Sequence, residues 1–240
     1  MNQKILTIIP ARLASTRLPN KPLADILGKT MIQRVYEQAI AADLGEVVIA
    51  CDGEEIADVA KKFGAKFIIT DPALPSGTDR IYAAWQVLDQ DFGVIVNLQG
   101  DLPNIDPKVI RAAAYAALEK DCDLATVASK ITNLDEITNP NVVKIARAEN
   151  GRALYFSRSA IPHGKGDFLH HIGIYAYKKS ALEKFVTLAP SALEKRESLE
   201  QLRALENGMK IIVEIVDAHP LSVDTTEDLL AVTKVIATQE

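Results

Sequence analysis

The chain has 240 residues, 48% of them hydrophobic and 25% charged, which is typical of a folded globular protein and argues against a disordered one. Its formal net charge of −5 argues against a protein that binds the phosphates of DNA or RNA over a broad basic surface. Two cysteines, Cys51 and Cys122, are too few for a disulfide framework, so we expect both to be reduced in a cytoplasmic protein.

The first half of the chain alternates short apolar runs with amphipathic segments. The opening run, 5–9, is interrupted by Thr7 and ends at Pro10, so we interpret it as a buried strand and not as a signal peptide. Asp52 and Glu55 have the spacing of a capping box at the start of a helix. Strands are predicted over 5–9, 46–50, 66–70 and 94–98, and helices over 30–42, 52–63, 79–88 and 106–118. This alternation predicts an α/β fold whose parallel sheet is covered by helices on both sides, and no segment has the length of a membrane span.

The second half is less regular and contains neither an internal repeat nor a clear linker. Strands are predicted over 124–129, 142–147, 153–156, 172–177 and 210–216, and helices over 182–186, 193–207 and 226–238. We therefore predict a single domain over 1–240, made of three segments, 1–125, 126–215 and 216–240.

The strongest local feature is the basic loop that follows the first predicted strand. It spans 10–23 and carries Arg12, Arg17 and Lys21 among prolines and hydroxyl side chains. Ligands of parallel sheets bind at the carboxyl ends of the strands, where spaced cations and backbone N–H groups suit a polyphosphate. The alternative is a solvated basic loop. Neither the dinucleotide glycine fingerprint nor the P-loop motif occurs in the chain, which excludes both of those phosphate sites.

Two aspartates, Asp101 and Asp224, are candidate metal ligands. Asp101 follows Gly100 directly after the fourth predicted strand, and a carboxylate there suits Mg²⁺, although a simple turn is the other interpretation. The basic loop favours the metal. Asp224 precedes the last predicted helix and could be a second metal ligand, but its distance from Asp101 along the sequence leaves that open. Thr225 or Thr226 is expected to cap the helix.

A segment of small residues, 76–80, lies between the third predicted strand and its helix. Ser76 and Gly77 would allow a base, a ribose or an anion to approach the helix N-terminus closely. The alternative is that Ser76 and Asp79 only cap the helix, and this segment alone does not decide between the two.

Taken together, these segments resemble the 3-deoxy-manno-octulosonate (Kdo) cytidylyltransferases, also called CMP-Kdo synthetases. Each motif alone is weak, but eight of them occur in order over nearly the whole chain. They are IPARLASTRLPNKPL at 9–23, SGTDRI at 76–81, VNLQGDLP at 96–103, NPNVVK at 139–144, ALYFSRSAIP at 153–162, HIGIYAY at 171–177, KRESLEQLR at 195–203 and VDTTEDL at 223–229. The resemblance implies a Rossmann-like, three-layer nucleotide-diphospho-sugar transferase fold, with a mixed, mostly parallel sheet and a dimerisation sub-region, and hence a homodimer.

The resemblance also implies an activity and a set of site residues. CMP would pass from CTP to Kdo with release of pyrophosphate, as a step toward lipopolysaccharide, with Mg²⁺ as cofactor. The first segment, 1–125, would bind the nucleotide, 126–215 would bind the sugar and form the dimer, and 216–240 would close the metal site. The resemblance implies a catalytic role for Arg12, Lys21, Asp101 and Asp224, and of these Asp101 and Asp224 would also bind the metal. The nucleotide would be bound by Pro10, Ala11, Arg12, Arg17, Lys21, Ser76, Gly77 and Arg80. The sugar would be bound by Gln99, Arg158, His171, Tyr175, Glu200 and Gln201.

The residue types of the implied sugar site suit its ligand. An arginine such as Arg158 matches the carboxylate of Kdo, and Tyr175, Glu200 and Gln201 can pair with its hydroxyls. For His171 alone, a buried structural histidine is the simpler interpretation, and only the surrounding motif favours a contact with the substrate.

Two departures from the family pattern leave the acceptor open. Leu102 stands where the family usually has Glu, and Leu74 stands where His is common. The acceptor could therefore be Kdo, its 8-amino form or another acidic sugar such as a sialic acid, although the segments 171–175 and 195–203 argue against sialic acid. A non-catalytic nucleotide-binding module would be expected to lack Lys21 or Asp101, and both are present. We expect direct attack of the sugar's anomeric hydroxyl on the α-phosphorus of CTP, without a nucleophilic side chain.

Overall fold

A computed structural model describes residues 4–15, 17–88 and 90–239 of the protein. Its helices and strands in chain order are β1 (Ile5–Ala11), a 3₁₀ turn (Lys21–Leu23), β2 (Asp25–Ile26), β3 (Lys29–Thr30), α1 (Met31–Ala41), β4 (Gly45–Cys51), α2 (Glu54–Lys62), β5 (Lys66–Ile69), α3 (Gly77–Leu88), β6 (Val94–Leu98), α4 (Pro107–Glu119), β7 (Leu124–Lys130), α5 (Asp135–Thr138), β8 (Lys144–Arg147), β9 (Ala153–Ser157), β10 (Leu169–Lys178), α6 (Lys179–Val186), α7 (Ala192–Glu197), α8 (Gln201–Glu206), β11 (Ile211–Ile215) and α9 (Thr226–Ala237).

The chain forms two compact units. The first comprises Met1–Arg111 and Pro220–Glu240, and the second comprises Ala112–His219. The C-terminal segment thus belongs with the first half of the chain. The prediction of a single domain in three segments stays a prediction.

The first unit contains the parallel strands in the order β6-β1-β4-β5. Their apolar runs are almost entirely buried, as expected of strands covered on both faces. β1 pairs in register with β4 on one side and with β6 on the other, so Ala11, Cys51 and Leu98 end their strands at the same edge. The predicted parallel arrangement is confirmed, and this edge holds the candidate site.

The predicted capping box at the start of α2 is wrong. The helix begins at Glu54 with Gly53 as its N-cap, and no side chain caps it. The carboxylate of Asp52 accepts a hydrogen bond from the backbone N–H of Leu13 at 3.1 Å. A contact with a distant loop has therefore replaced the local contact that the sequence spacing predicts. The 3₁₀ turn and the β2–β3 hairpin were not predicted either.

A small apolar cluster attaches the C-terminal helix α9 to the rest of the first unit. It contains Ile26 from β2, Met31 from α1, Val223 from the segment before α9, and Val232 and Ile236 from α9 itself. Val223 is fully buried, and its N–H donates to the carbonyl oxygen of Asp101 at 3.0 Å. This packing places the residue after Val223, which is Asp224, beside the end of β6.

The second unit holds the mixed part of the fold. β7 pairs with β10 antiparallel and with β11 parallel, while β8 pairs with β10 and β9, both antiparallel. The predicted α/β class, with a mixed and mostly parallel sheet, is confirmed. The predicted helix over 193–207 is wrong, because Ser198 has a left-handed backbone (φ 54°) that separates α7 from α8. Among the described residues, no helix is both long and apolar enough to cross a membrane.

Candidate active site

A pocket opens in the first unit at the carboxyl ends of β1 and β6. Its wall includes nine residues predicted for the site, together with Pro22, Leu74 and Gly100. The nine are Pro10, Ala11, Arg12, Lys21, Ser76, Gly77, Arg80, Gln99 and Asp101. The structure therefore brings together residues that are dispersed over about ninety positions of the chain, as the strand-end rule predicts.

The basic loop reaches the pocket through two fixed points. Near its start, the Asp52 carboxylate holds the N–H of Leu13. At its end, Asn20 adopts a left-handed backbone (φ 54°) and its carbonyl accepts from Leu23 at 2.8 Å, which closes the 3₁₀ turn around the buried Pro22. Lys21 is thus presented from a short, proline-restricted turn. The role of Asp52 was missed because it depends on a contact across 39 positions; Thr16 of this loop lies outside the described residues.

Two glycines allow the backbone to pass close to β1. A Cβ atom on Gly100 would lie 3.0 Å from the carbonyl oxygen of Pro10, a contact that only a shift of the backbone could relieve. A Cβ atom on Gly77 would lie 3.3 Å from the ring of Pro10. A larger residue at Gly100 would push the Asp101 turn away from β1, and one at Gly77 would require a small shift of the Pro10 ring, so both glycines help define the shape of the pocket.

Lys21 lies between the two aspartates. Its Nζ atom is 2.8 Å from Oδ2 of Asp101 and 3.0 Å from Oδ1 of Asp224. Nη2 of Arg17 lies 3.1 Å from the other oxygen of Asp224, so one cation bridges both carboxylates and a second neutralises the outer one. The side chain of Lys21 is 19% exposed, against 40% for Asp224 and 61% for Arg17, so the ion pairs become more exposed from Lys21 outward.

The electrostatics of this group explain the protonation state of the lysine. Burial lowers the pKa of Lys21, but the carboxylates of Asp101 and Asp224 outweigh burial and raise that pKa above its usual value. Lys21 is therefore a firmly charged ammonium and not a general base. It occupies the space between two carboxylates that a bound cation would also need.

The donor set is suitable for Mg²⁺. Mg²⁺ in nucleotide enzymes takes one or two protein carboxylates and completes its shell with waters and phosphate oxygens. Asp101 and Asp224 both place an oxygen within 3.0 Å of one cationic nitrogen, so they can also reach a shared metal ion. Over residues 4–15, 17–88 and 90–239, no group of three or more His, Cys, Asp or Glu forms a metal cage of its own. The two aspartates therefore fit a metal whose other ligands arrive with the substrate.

The segment 76–80 acts as a helix cap and also lines the pocket. The Ser76 hydroxyl accepts from the N–H of Asp79 at 3.1 Å and donates to its carboxylate at 2.7 Å. Arg80, one turn on, is 2% exposed and donates to the hydroxyl of Thr70. Burial lowers the pKa of Arg80. The capping alternative is thus correct for Ser76, and it does not exclude a contact with a ligand because both side chains lie in the pocket wall.

A buried polar chain orients Gln99. Its Nε2 donates to Oδ1 of Asn97 at 3.2 Å, and Nδ2 of Asn97 donates to the hydroxyl of Thr78 at 3.3 Å. Asn97 and Thr78 are each 1% exposed. With its nitrogen held by Asn97, Gln99 has its Oε1 atom as the acceptor for a ligand. The sequence signal for this support was a single asparagine inside an otherwise apolar strand.

Other residues predicted for the sugar site lie in the second unit, on β10. The ring of His171 is 5.2 Å from that of Phe156 and 5.4 Å from that of Tyr175, measured between centroids. Its Nε2 lies 3.0 Å from the hydroxyl of Thr126. Burial, with a smaller effect of the neighbouring His170, lowers the pKa of His171 to about 3, so the imidazole is neutral. Burial also raises the pKa of the Tyr175 phenol well above its usual value.

The remaining predicted sugar residues lie near the break between α7 and α8. Arg158 follows β9 and donates from Nε to the carbonyl oxygen of Glu197 at 3.0 Å and from Nη1 to that of Pro140 at 2.9 Å. Glu200 and Gln201 stand at the start of α8, where Gln201 is 5% exposed. The backbone break at Ser198 therefore separates α7 from the two residues whose polar side chains were predicted to face a sugar.

The two departures from the family pattern have different consequences. Leu102 is 4% exposed, and its carbonyl oxygen accepts from Ile105, so its side chain belongs to the interior. Leu74, by contrast, lines the pocket beside Ser76 and Gly77. Of these two departures, the one at position 74 lies in the pocket wall, and the one at position 102 does not line it.

Comparison with known proteins identifies the family. The model of the cytidylyltransferase family matches residues 6–211. A 3-deoxy-manno-octulosonate cytidylyltransferase from Brucella suis is 56% identical over 233 residues, which cover 94% of this chain and 93% of the relative. The protein of the same name from Brucella anthropi is 54% identical over 94% of each chain.

Solved structures agree with this result. A structure of CMP:2-keto-3-deoxy-manno-octonic acid synthetase complexed with CTP has a TM-score of 0.93 and 37% identity, and the match covers 99% of this chain and 100% of that one. A cytidylyltransferase from Leptospira borgpetersenii has a TM-score of 0.67 at 20% identity, covering 99% of this chain and 88% of that one, and it shows a shared fold. This chain therefore belongs to the 3-deoxy-manno-octulosonate cytidylyltransferase family.

Proposed function

We propose that this protein transfers CMP from CTP to Kdo and releases pyrophosphate. The observation that carries the proposal is the bridge from Lys21 to Asp101 and Asp224 at the edge of a pocket lined by the family's nucleotide motifs. The names of the relatives, which are Kdo cytidylyltransferases, and the CTP complex of a similar structure support the choice of both substrates.

The side chains of the first unit supply charge and no nucleophile. Arg12 and Lys21 in the pocket and Arg17 beside it would bind the triphosphate oxygens, and Pro10, Ala11, Ser76, Gly77 and Arg80 would surround the cytidine. The anomeric hydroxyl of the sugar then loses its proton to water, and its oxygen forms the bond to the α-phosphorus. The bond from that phosphorus to the bridging oxygen breaks, and pyrophosphate leaves with its electron pair. Fixed cations stabilise the charge that develops on the leaving oxygen.

Asp101 and Asp224 would hold Mg²⁺, as their shared approach to one cation suggests. When bound, Mg²⁺ supplies positive charge to the phosphates and makes a coordinated hydroxyl more acidic. If the metal ion takes the carboxylate oxygens that Lys21 now contacts, Lys21 leaves at least one of its carboxylate partners. The triphosphate, with its own negative oxygens, is then the natural partner for the released ammonium.

The sugar would be recognised by hydrogen bonds and one charge pair. Oε1 of Gln99 is oriented as an acceptor, and Arg158 suits the carboxylate. His171, neutral at physiological pH, would act as a hydrogen-bonding group and not as a cation. Tyr175, Glu200 and Gln201 complete the proposed set.

A pyrophosphate-release assay with CTP and Mg²⁺ tests the proposal. The acceptors are Kdo, 8-amino-Kdo and a sialic acid, each with a control that omits the sugar. We expect release with Kdo and CMP-Kdo as the second product. Release with 8-amino-Kdo alone would correct the acceptor, release with sialic acid alone would exclude an octulosonate, and no release with any of the three would favour the non-catalytic module.

A homodimer, a cytoplasmic location and a role in lipopolysaccharide synthesis belong to the same proposal and rest on the family. Light scattering after size-exclusion chromatography tests the first of these. A mass of twice 26.1 kDa is expected, and a monomer at the concentrations of the assay would contradict it.

A further inference from the structure

Lys144 is a fully buried cation in the second unit and lies outside the proposed set of site residues. It begins β8, where it pairs with Ser157 of β9 and with His170 of β10, and its relative exposure is 0%. A buried ammonium is costly unless its N–H groups are all satisfied. Its surroundings should therefore show what the protein gains from it.

The contacts of Lys144 are all to backbone carbonyl oxygens. Its Nζ lies 2.8 Å from the oxygen of Asn139, 2.6 Å from that of Val142 and 2.5 Å from that of Arg158. An ammonium has three N–H donors, so these three acceptors can satisfy all of them. Burial, with the nearby Arg158, lowers the pKa of Lys144. The lysine thus joins the turn over 139–142 to the residue that follows β9.

Glu197 holds the same residue from its other side. One carboxylate oxygen accepts the backbone N–H of Arg158 at 3.0 Å, and the other accepts the hydroxyl of Ser157 at 2.9 Å. Lys144 therefore fixes the carbonyl of Arg158 while Glu197 fixes its N–H. Two buried or half-buried charged groups determine where the backbone of one arginine lies.

The guanidinium of Arg158 is also oriented, but by neutral acceptors. Beyond its bonds to the carbonyl oxygens of Glu197 and Pro140, Nη2 lies 3.5 Å from that of Ser198. An arginine has five N–H donors, so two remain beyond these three bonds. Lys144 and Arg158 carry two positive charges against the one negative charge of Glu197, which leaves one positive charge in this cluster for an anion.

We propose that Lys144 and Glu197 are positioning residues that hold Arg158 for the carboxylate of the acidic sugar. The inference rests on the proposed function, because it takes the sugar acid as the ligand of Arg158. The alternative is that the three side chains only stabilise the loops around β8 and β9. The alternative predicts a loss of stability, whereas positioning predicts a selective loss of affinity for the sugar.

Steady-state kinetics of two variants, Lys144→Met and Glu197→Gln, separate these possibilities. We expect the KM for Kdo to rise by roughly ten-fold or more, while the Kd of CTP measured by titration calorimetry changes less than about two-fold. Lys130→Met is the matched control, because this lysine of the same unit is 62% exposed and pairs with the exposed Asp167. Circular dichroism and thermal unfolding check that each variant is folded.

The outcomes are distinguishable from a failure of the proposed function. If the wild-type protein does not use Kdo, the proposed function fails first. If the wild type is active and folded variants keep its KM for Kdo, or lose CTP affinity equally, the positioning inference is overturned. Should Lys144→Met not fold, Glu197→Gln decides the matter, because it preserves the shape of the side chain and removes only the charge and one acceptor.

Discussion

Two lysines of this protein, Lys21 and Lys144, have opposite environments, although each makes only two or three polar contacts with its side chain. Lys21 bonds to two carboxylates, is 19% exposed and has a raised pKa. Lys144 bonds to three backbone carbonyls, is fully buried and has a lowered pKa. A carboxylate can exchange its lysine for a metal ion or another cation, whereas Lys144 is itself fully buried and its three carbonyl partners carry no net charge. The comparison indicates that the ion pairs of Lys21 can be replaced when a cation or a ligand binds, whereas the hydrogen bonds of Lys144 are a permanent part of the structure.

The largest expected effect belongs to the exchangeable cluster, which consists of Lys21, Asp101 and Asp224. Replacing Asp101 by Asn keeps the shape of the side chain but removes a charge that we propose for metal binding. We expect turnover to fall on the order of 10³-fold, while the fold remains, because the site loses a carboxylate that would hold the Mg²⁺ acting on the phosphates. The measurement is pyrophosphate release together with thermal unfolding.

Asp58→Asn is the control for that variant. Asp58 also pairs with a lysine, Lys61 at 3.1 Å, but on the exposed surface of α2. Its activity should equal that of the wild type. Near-normal turnover by Asp101→Asn would remove Asp101 from the proposed metal site and weaken the contrast between the two lysines.

The second prediction concerns the pH dependence of stability and involves His171, a buried residue near Lys144. His171 donates its backbone N–H to the carbonyl of Val143, next to Lys144, and its pKa is lowered from 6.5 to about 3. Between these values the unfolded chain binds a proton that the folded protein does not. The free energy of unfolding is therefore unaffected by this group above about pH 6.5. It decreases by about 1.4 kcal/mol per pH unit as the pH falls from there toward 3.

Urea unfolding between pH 7 and pH 4 measures this dependence. In His171→Gln the free energy of unfolding should fall less steeply with decreasing pH than in the wild type, because the variant has no imidazole at position 171 to protonate in the unfolded chain. His163→Gln, at an exposed loop position, should keep the wild-type slope. Equal slopes in all three proteins would show that His171 is not held neutral by burial.

The third prediction tests whether Lys21 competes with a cation. Without CTP, Lys21→Met leaves Asp101 and Asp224 with less neutralising charge, so the variant should bind Mg²⁺ alone roughly ten-fold more tightly than the wild type. Titration calorimetry with MgCl₂ measures this, although turnover of the variant should be low. Lys29→Met, which breaks the surface pair with Glu37, is the control. Equal Mg²⁺ affinity in variant and wild type would contradict the exchange of partners.

The same contrast explains what the sequence could predict. The parallel strands and the pocket edge follow from buried apolar runs, and Asp101 and Lys21 follow from the rule that ligands bind at strand ends. Asp224 is far away in the sequence, and only the resemblance assigned it, because its position depends on the packing of Val223 and α9. The sequence could therefore predict the location of charged residues that lie at or directly after the ends of neighbouring strands.

Groups whose partners are distant backbone atoms were not predictable. Asp52 had the spacing of a cap, but the N–H of Leu13 takes its carboxylate. Ser198 breaks a periodic helical segment with no glycine or proline to signal it. Lys144 lies within one of the family motifs, but the sequence did not predict its role, because its three carbonyl partners can be recognised only in the folded structure. The local sequence pattern predicts the helices and strands, whereas contacts with distant backbone atoms depend on how the helices and strands pack.

The smallest expected effect comes from a local contact that the sequence did predict. Thr225 caps α9 as expected: its hydroxyl accepts from the N–H of Asp228 at 3.2 Å, and the Asp228 carboxylate accepts from the N–H groups of Thr225 and Asp224. Thr225→Ala should reduce the free energy of unfolding by about 1 kcal/mol, the usual contribution of such a cap. Thr238→Ala, at the other end of the helix, should change it by less than about 0.5 kcal/mol.

Urea unfolding measures both variants, and the Mg²⁺ titration shows whether the cap also matters for the exchangeable cluster. Because the Asp228 carboxylate holds the backbone of Asp224 at 3.0 Å, a frayed first turn of α9 would loosen one partner of Lys21. A loss of stability in Thr225→Ala with unchanged Mg²⁺ affinity would show that the packing of Val223 alone holds Asp224 in place. The position of the outer carboxylate would then depend on the apolar cluster, much as the position of Arg158 is proposed to depend on Lys144.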